Sequence, residues 1–382
     1  MNTRIPSFLS RPVALAAAAL ATALLAAGPA QAAHGVAATA GQTDAAPSSR
    51  PLPVVASFSI LADLVKQVGG DRVAVESLVK AGGDTHVFQP GPAQVRQLSS
   101  ASLVVVNGLG FEGWMPRLIG SSGYKGPVVE AARGLQAMKA TDDHHHHGDD
   151  ADEDDHDHDG PHGHDHDHDG PHGHDHEEDG PHGHSHADDD HDHDEASHGH
   201  HHHHHGGLDP HAWQDALNVR HYVANIAEGL CQVAPADCGG FRERARAYDQ
   251  KLLELDQEIH QAVDATPTDR RRVMVSHAAF GYYGRAYHIT FMAPVGISTE
   301  EEPSAAVVAN LIRQARQQNV QAFFFENNSD PRLLKRMASE LKNVTIGELY
   351  ADSLSPANGP AADYLSMMRY NTRAITQALS KK

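Results

Sequence analysis

The chain has 382 residues, 21% of them charged and 5% aromatic, with a formal net charge of −20, and that length accommodates two domains of roughly 100–200 residues each. Between Asp142 and Gly207 stand 23 acidic residues and 25 histidines without one lysine or arginine, so the remainder of the chain carries about +3. A body so close to neutral has no basic face for nucleic acid, and the acidity belongs to a single insert.

Residues 1–32 begin with Arg4 and Arg11, continue in an Ala/Leu run from Val13 and reach Ala30-Gln31-Ala32. That is the layout of a cleaved secretory signal peptide. The apolar run is short for a retained membrane anchor, and no cysteine stands near the cut to carry a lipid. A soluble protein exported to the periplasm is expected. Residues 33–50, rich in Ala, Gly, Thr and Ser, read as a disordered lead-in.

From Pro53 onward, strands alternate with helices. PVVASFSI is a β-rich run, and amphipathic LADLVKQVGG follows it and ends in glycines. VAVESLVK reads as the next strand, AGGDTHVFQPGPAQ as a loop and AQVRQLSSA as a helix. LVVVNGL is nearly all apolar, as expected of a strand buried on both faces, and GPVVEAA supplies a further strand. This alternation predicts an α/β fold with a parallel sheet.

The insert, 141–207, interrupts next. DGPHGHDH starts at 159 and again at 169, and DGPHGHSH at 179, a ten-residue repeat. Without large apolar side chains it cannot offset the entropy of ordering, so a mobile loop is expected. Its imidazoles form a candidate low-affinity metal collector: His144, His145, His146, His147, His162, His164, His172, His174, His182, His184, His200, His201, His202, His203, His204 and His205. Neutral imidazoles bind transition metals, and the surrounding carboxylates attract cations. Nickel or copper suit this loop as zinc does, so it does not name the metal.

Beyond the insert NVRHYVANIAEGL reads as a helix. Cys231 and Cys238 bracket QVAPAD and are the only cysteines; in an oxidising compartment they are expected to form a disulfide. With no histidine nearby, the pair makes a poor zinc site. FRERARAYDQKLLELDQEIHQAVDA then places Phe241, Ala245, Tyr248, Leu252, Leu255, Ile259 and Val263 three or four residues apart. That predicts one amphipathic helix of some 25 residues, on the order of 38 Å long, a rigid strut. A second α/β stretch follows: strand RRVMVS, a helix from FGYYGRAY, strand ITFMAPV, helix SAAVVANLIRQARQQN, strand VQAFFFE, helix DPRLLKRMASEL, strand VTIGELY and a closing helix from Ala361. The layout is lobe, strut, lobe, with boundaries at 51–238, 239–266 and 267–382.

Outside the insert and lead-in six histidines remain: His86, His211, His221, His260, His277 and His288. His86 lies in a loop after a strand, His211 directly after the insert and before a helix, and His277 at the end of RVMVS. In open α/β sheets ligands bind beyond the carboxyl ends of strands. His260 on the strut, His221 inside a helix and His288 beside a strand start read as structural or solvated. Three imidazoles suit Zn2+, which prefers four ligands. Asp352, after TIGELYA, is the candidate for the fourth, and Glu326, ending QAFFFE, is its rival or else orients a histidine through the other ring nitrogen.

The segments GGDTHVFQP, LDPHAWQD, VMVSHAAFGYYGRAY, GISTEEEPSAAVVANLIRQARQQNVQAFFFENN and ADSLS occur in this order across about residues 52–380. In order and wording the chain resembles the zinc/manganese solute-binding proteins of ABC importers, the cluster A-I family. The resemblance implies two α/β lobes with parallel sheets, one long linker helix and a metal cleft between the lobes. It implies His86, His211, His277 and Asp352 as ligands. Manganese-type members carry a glutamate where His277 stands, and a third imidazole favours Zn2+ over harder Mn2+. A His-rich insert before the second ligand is likewise a zinc-type feature. Thr85 stands where some zinc-type members offer a carboxylate, and ADSLS departs from the family's LDPLG.

The expected function is therefore periplasmic zinc capture, with delivery to a membrane permease served by a cytoplasmic ATPase, by a monomer that catalyses no reaction. A zinc store or adhesin centred on the insert is the alternative. A zinc hydrolase fits less well: H-E-x-x-H is absent, and Asp352 would close the position a water needs.

Overall fold

The structure, a computed structural model, describes residues 50–140, 207–300 and 302–381. The expected signal peptide (1–32), the lead-in (33–50, save Arg50) and the insert with its candidate metal-collecting histidines (141–207, save Gly207) lie outside the described residues.

Two four-stranded sheets share one plan. β1 (Leu52–Phe58), β2 (Val73–Val79), β3 (Leu103–Val106) and β4 (Val128–Glu130) lie in the order β2-β1-β3-β4. β5 (Arg272–Val275), β6 (Thr290–Met292), β7 (Ala322–Glu326) and β8 (Thr345–Leu349) repeat it as β6-β5-β7-β8. Every pairing is parallel, with Val54 opposite Val75 and Leu103 in the first sheet and Met274 opposite Phe323 in the second.

Side chains alternate between sheet faces. Val54, Ala56 and Phe58 join a core shared by both sheets, and Val55 turns to the opposite face. Val273 and Val275 do the same against Met274. Behind the first sheet Leu98 of α2 (Pro92–Ser99) and Met115 and Leu118 of α3 (Met115–Ser122) cover the outer face. Behind the second, Ala315 of α7 (Ala305–Gln317) and Leu334 and Met337 of α8 (Arg332–Ser339) do so. The sequence reading lacks α3: eight residues with Pro116 near the start and Gly120 inside show too little apolar period.

The shared core is closed by α1 (Ser59–Gly69), α4 (Ala216–Val233), α5 (Cys238–Asp264), α6 (Gly281–Tyr287) and α9 (Tyr364–Ser380). α5 has 27 residues, about 40 Å at 1.5 Å per residue. All seven apolar positions read from the sequence are buried along it. It begins at Cys238, which is disulfide-bonded to Cys231 near the end of α4. Arg244 of α5 donates to the carbonyls of Val68 (2.7 Å) and Gly69 (3.0 Å), satisfying acceptors that the end of α1 leaves unpaired. The chain thus crosses from the first sheet to the second through α4 and α5, and α9 returns to pack on α5 and α1.

In each sheet the chain steps from its first strand to one side and then to the other. β1/β3 and β5/β7 are therefore the points where strand order reverses, and the crevice beyond their carboxyl ends is where such sheets bind ligands. No helix among the described residues is long and apolar enough to cross a membrane.

Candidate metal centre

Four loop segments meet in this crevice. His86 follows β2, His277 comes two residues after β5, Asp352 follows β8, and His211 precedes the 3-10 turn Ala212–Gln214 that leads into α4. One donor atom from each of the four lies within 4.8 Å of the others. The separations are 3.4 Å between Nε2 of His211 and of His86, 3.3 Å from His86 Nε2 to Asp352 Oδ2, 3.2 Å from His277 Nε2 to the same oxygen, and 3.6 Å from His211 Nε2 to Asp352 Oδ1. Bonds of about 2.0–2.2 Å at the tetrahedral angle place neighbouring donors about 3.3–3.6 Å apart. The fit is close.

The donor set is buried and unsatisfied. His211, His277 and Asp352 are each at most 1% exposed. His277 Nε2 and both Asp352 oxygens have no hydrogen-bond partner among the described residues. Orphaned polar atoms of this kind carry a desolvation penalty of about 1–3 kcal/mol each unless something binds them. A divalent cation at the centroid removes all three penalties.

Two histidines are held from behind with Nε2 turned inward. Asp209 Oδ1 accepts both the Nδ1–H (2.9 Å) and the backbone N–H (2.9 Å) of His211. Glu326, the last residue of β7, accepts Nδ1–H of His277 on Oε2 and its backbone N–H on Oε1 at 3.2 Å. Such carboxylates fix the tautomer and raise the basicity of the nitrogen facing the metal. Glu326 thus lies behind His277, and Asp352 lies among the donors. His86 has its backbone N–H bound by Asp84 Oδ1 at 2.9 Å.

An aromatic wall and cross-lobe hydrogen bonds set the rest. Phe111 packs edge-on to His86 with ring centroids 4.8 Å apart and stands against Phe58 and Trp213. Trp213 Nε1–H and Gln214 Nε2–H both donate to the carbonyl of Ala351, next to Asp352. From the second lobe Tyr282 OH donates to the carbonyl of Asp209, and Tyr364 OH to that of Trp213. Asp209, Phe111 and Trp213 were not singled out from the sequence. Asp209 sits two residues before His211, and that spacing was its only signal.

Electrostatics couple the centre to protons. Burial presses His277 toward its neutral form, but the carboxylates of Glu326 and Asp352 outweigh it and hold its pKa well above the ordinary value. Burial opposes ionisation of Asp352, yet His277 and His211 hold its pKa well below the usual carboxylate range. A proton on His277 and a metal ion therefore compete for the same nitrogen. The remaining histidines stay apart. His221 and His288 are exposed, and His260 lies 3.7 Å from Asp256 with its ring against Tyr287.

Comparison with known proteins adds the following. Residues 54–378 match the family described as zinc-uptake complex component A, periplasmic. A metal ABC transporter substrate-binding lipoprotein of Streptococcus sanguinis is 24% identical over 348 residues, covering 90% of this chain and 94% of that protein. A manganese-binding lipoprotein of Halalkalibacterium halodurans is 24% identical over 330 residues, 86% and 89% of the two chains. The periplasmic zinc-binding protein TroA of Treponema pallidum has the same fold, with a TM-score of 0.67 and 22% identity over 87% of this chain and 100% of that one.

Proposed function

The chain belongs to the family of periplasmic zinc-uptake complex component A proteins, and from that premise we propose that it captures Zn2+ on His86, His211, His277 and Asp352 and delivers it to an ABC permease. It is a metal-binding protein and not an enzyme. A relative named as a metal ABC transporter substrate-binding lipoprotein supports the partner: a membrane permease driven by an ATPase, met in the periplasm.

The observation that carries this reading is the convergence of three Nε2 atoms and a carboxylate within 4.8 Å of one another, four of the separations being 3.2–3.6 Å, with His277 Nε2 and both Asp352 oxygens buried and without a hydrogen-bond partner among the described residues. Three neutral nitrogens suit Zn2+ better than the harder Mn2+. Four protein donors also leave no open position for an activated water, unlike catalytic zinc sites.

The His/Asp-rich insert collects and buffers zinc on the same reading. Its support is sequence and position: Lys139 and Leu208 form an antiparallel bridge that joins the insert's two roots, and Asp209 and His211 follow the second root at once. Deleting 144–205 is expected to keep one tight Zn2+ equivalent and lose the weaker ones. His277→Ala is expected to lose the tight equivalent and keep the weak ones. If the deletion abolishes tight binding, the insert is the principal site and the protein is a zinc store. If Mn2+ displaces Zn2+ at equal concentration, the cargo assignment is wrong.

A further inference from the structure

Asp84 stands two residues before His86 and uses its carboxylate in two directions. Oδ1 accepts the backbone N–H of His86 at 2.9 Å, and Oδ2 accepts the hydroxyl of Thr299 at 2.8 Å. Asp84 belongs to the loop after β2 in the first lobe, and Thr299 to the segment between β6 and α7 in the second. That second segment is itself tied to the ligand loop after β5. Ala278 N–H donates to the Gly296 carbonyl at 3.1 Å, and His277 pairs with Val295 in an isolated bridge. Two hydrogen bonds and the backbone from Gly296 to Thr299 therefore join the His86 loop to the His277 loop apart from the donor atoms.

Both residues of this bond line a cavity. A space of about 590 Å³ has His277 and Glu326 in its lining, together with Asp84, Thr299, Ser276 and Arg332. Among the described residues Asp84 is the only lining residue from the first lobe; the others lie between Ser276 and Arg336. Breaking the Asp84–Thr299 bond removes one tie between the His86 loop and the second lobe, leaving that of Gly82 N–H to Ser353 Oγ at 2.6 Å.

We propose that the Asp84–Thr299 hydrogen bond is an interlobe latch, with Thr299 a positioning residue that sets the rate at which metal leaves the His86/His211/His277/Asp352 centre. The latch rests on the assignment of that centre as the metal site. Thr299 touches no donor atom, so it acts on exchange by holding Asp84, and through it His86, in place. Losing one hydrogen bond to a charged group is expected to speed release about tenfold. The ligand geometry with metal bound stays the same.

The test uses the full chain loaded with one equivalent of Co2+, whose tetrahedral absorption bands report the centre and not the insert. Excess EDTA is added and the decay of those bands is followed for wild type, Thr299→Val and Thr299→Ser. Thr299→Val removes the hydroxyl and keeps the shape of the side chain. The latch predicts about tenfold faster decay in Thr299→Val from an unchanged starting spectrum, with Thr299→Ser restoring the wild-type rate. Equal decay rates in wild type and Thr299→Val overturn it, and so does fast decay that serine fails to rescue. His277→Ala separates the two failures. If this variant keeps the tetrahedral bands, the site assignment itself is wrong and the latch falls with it. If it loses them, a wild-type rate in Thr299→Val refutes the latch alone.

Discussion

Replacing Glu326 by glutamine alters a side chain that never reaches the donor atoms, yet zinc affinity is expected to fall about 10- to 100-fold. The carboxylate serves the His277 ring nitrogen with one oxygen and the His277 backbone N–H with the other. Glutamine has one carbonyl oxygen, and its amide nitrogen faces whichever N–H is left. One hydrogen bond to a charged group is lost, worth about 1.5–3 kcal/mol, and each 1.4 kcal/mol is about tenfold in affinity. The pH profile adds a second signature. Burial lowers the His277 pKa, and the Glu326 and Asp352 carboxylates raise it beyond that. Removing one carboxylate lowers it again, so protons compete less with metal in the variant. The gap between wild type and Glu326→Gln should therefore narrow as pH falls. Competition against a zinc chelator between about pH 6 and pH 8.5 measures both effects. Affinity within twofold of wild type at the alkaline end, or a gap that widens toward acid, would refute the reasoning.

Further predictions concern residues around the centre. A Cβ on Gly281 would lie 2.8 Å from Asp209 Oδ2, so Gly281→Ala should push Asp209 off His211 and weaken zinc binding about tenfold, read by the same titration. Burial lifts the Glu112 carboxyl from 4.5 to about 7 against the donors Asn107 and Ser57. The folded state then keeps a proton that the unfolded chain releases, so its stability contribution is full below about pH 4.5 and is lost as pH rises through about 7, about 3 kcal/mol in all. Urea unfolding across that window should slope downward in wild type and flatten in Glu112→Gln. The Cys231–Cys238 disulfide closes a short loop of sequence separation 7, for which chain entropy gives about 2.5 kcal/mol. A double serine variant should lower the melting temperature and leave zinc affinity unchanged.

Much of the fold was legible because its signals are local. The largely apolar run Val54–Phe58 of β1 and the apolar run Val273–Val275 of β5, buried throughout, and the three-or-four spacing of Phe241 to Val263 follow from single elements, and the long helix is where the spacing put it. α3 was not legible, since a proline near its start and an internal glycine blur its period. The choice between Asp352 and Glu326 could not be made from strand ends alone. Both residues stand at the carboxyl edge of the second sheet, and only the path of the chain after β8 turns Asp352 inward while Glu326 faces His277 Nδ1. Asp209 lies two residues from the histidine it supports, whereas Thr299 meets Asp84 across the fold. No spacing in the chain announces that Asp84 meets a residue 215 positions away.

On the proposed function one zinc ion is held by four particular side chains, and the insert is not the tight site. Anomalous diffraction at the zinc edge, from crystals of the full chain loaded with one equivalent, tests it directly. One strong peak is expected at about 2.0–2.2 Å from Nε2 of His86, His211 and His277 and from a carboxylate oxygen of Asp352. A strong peak away from those atoms would contradict it.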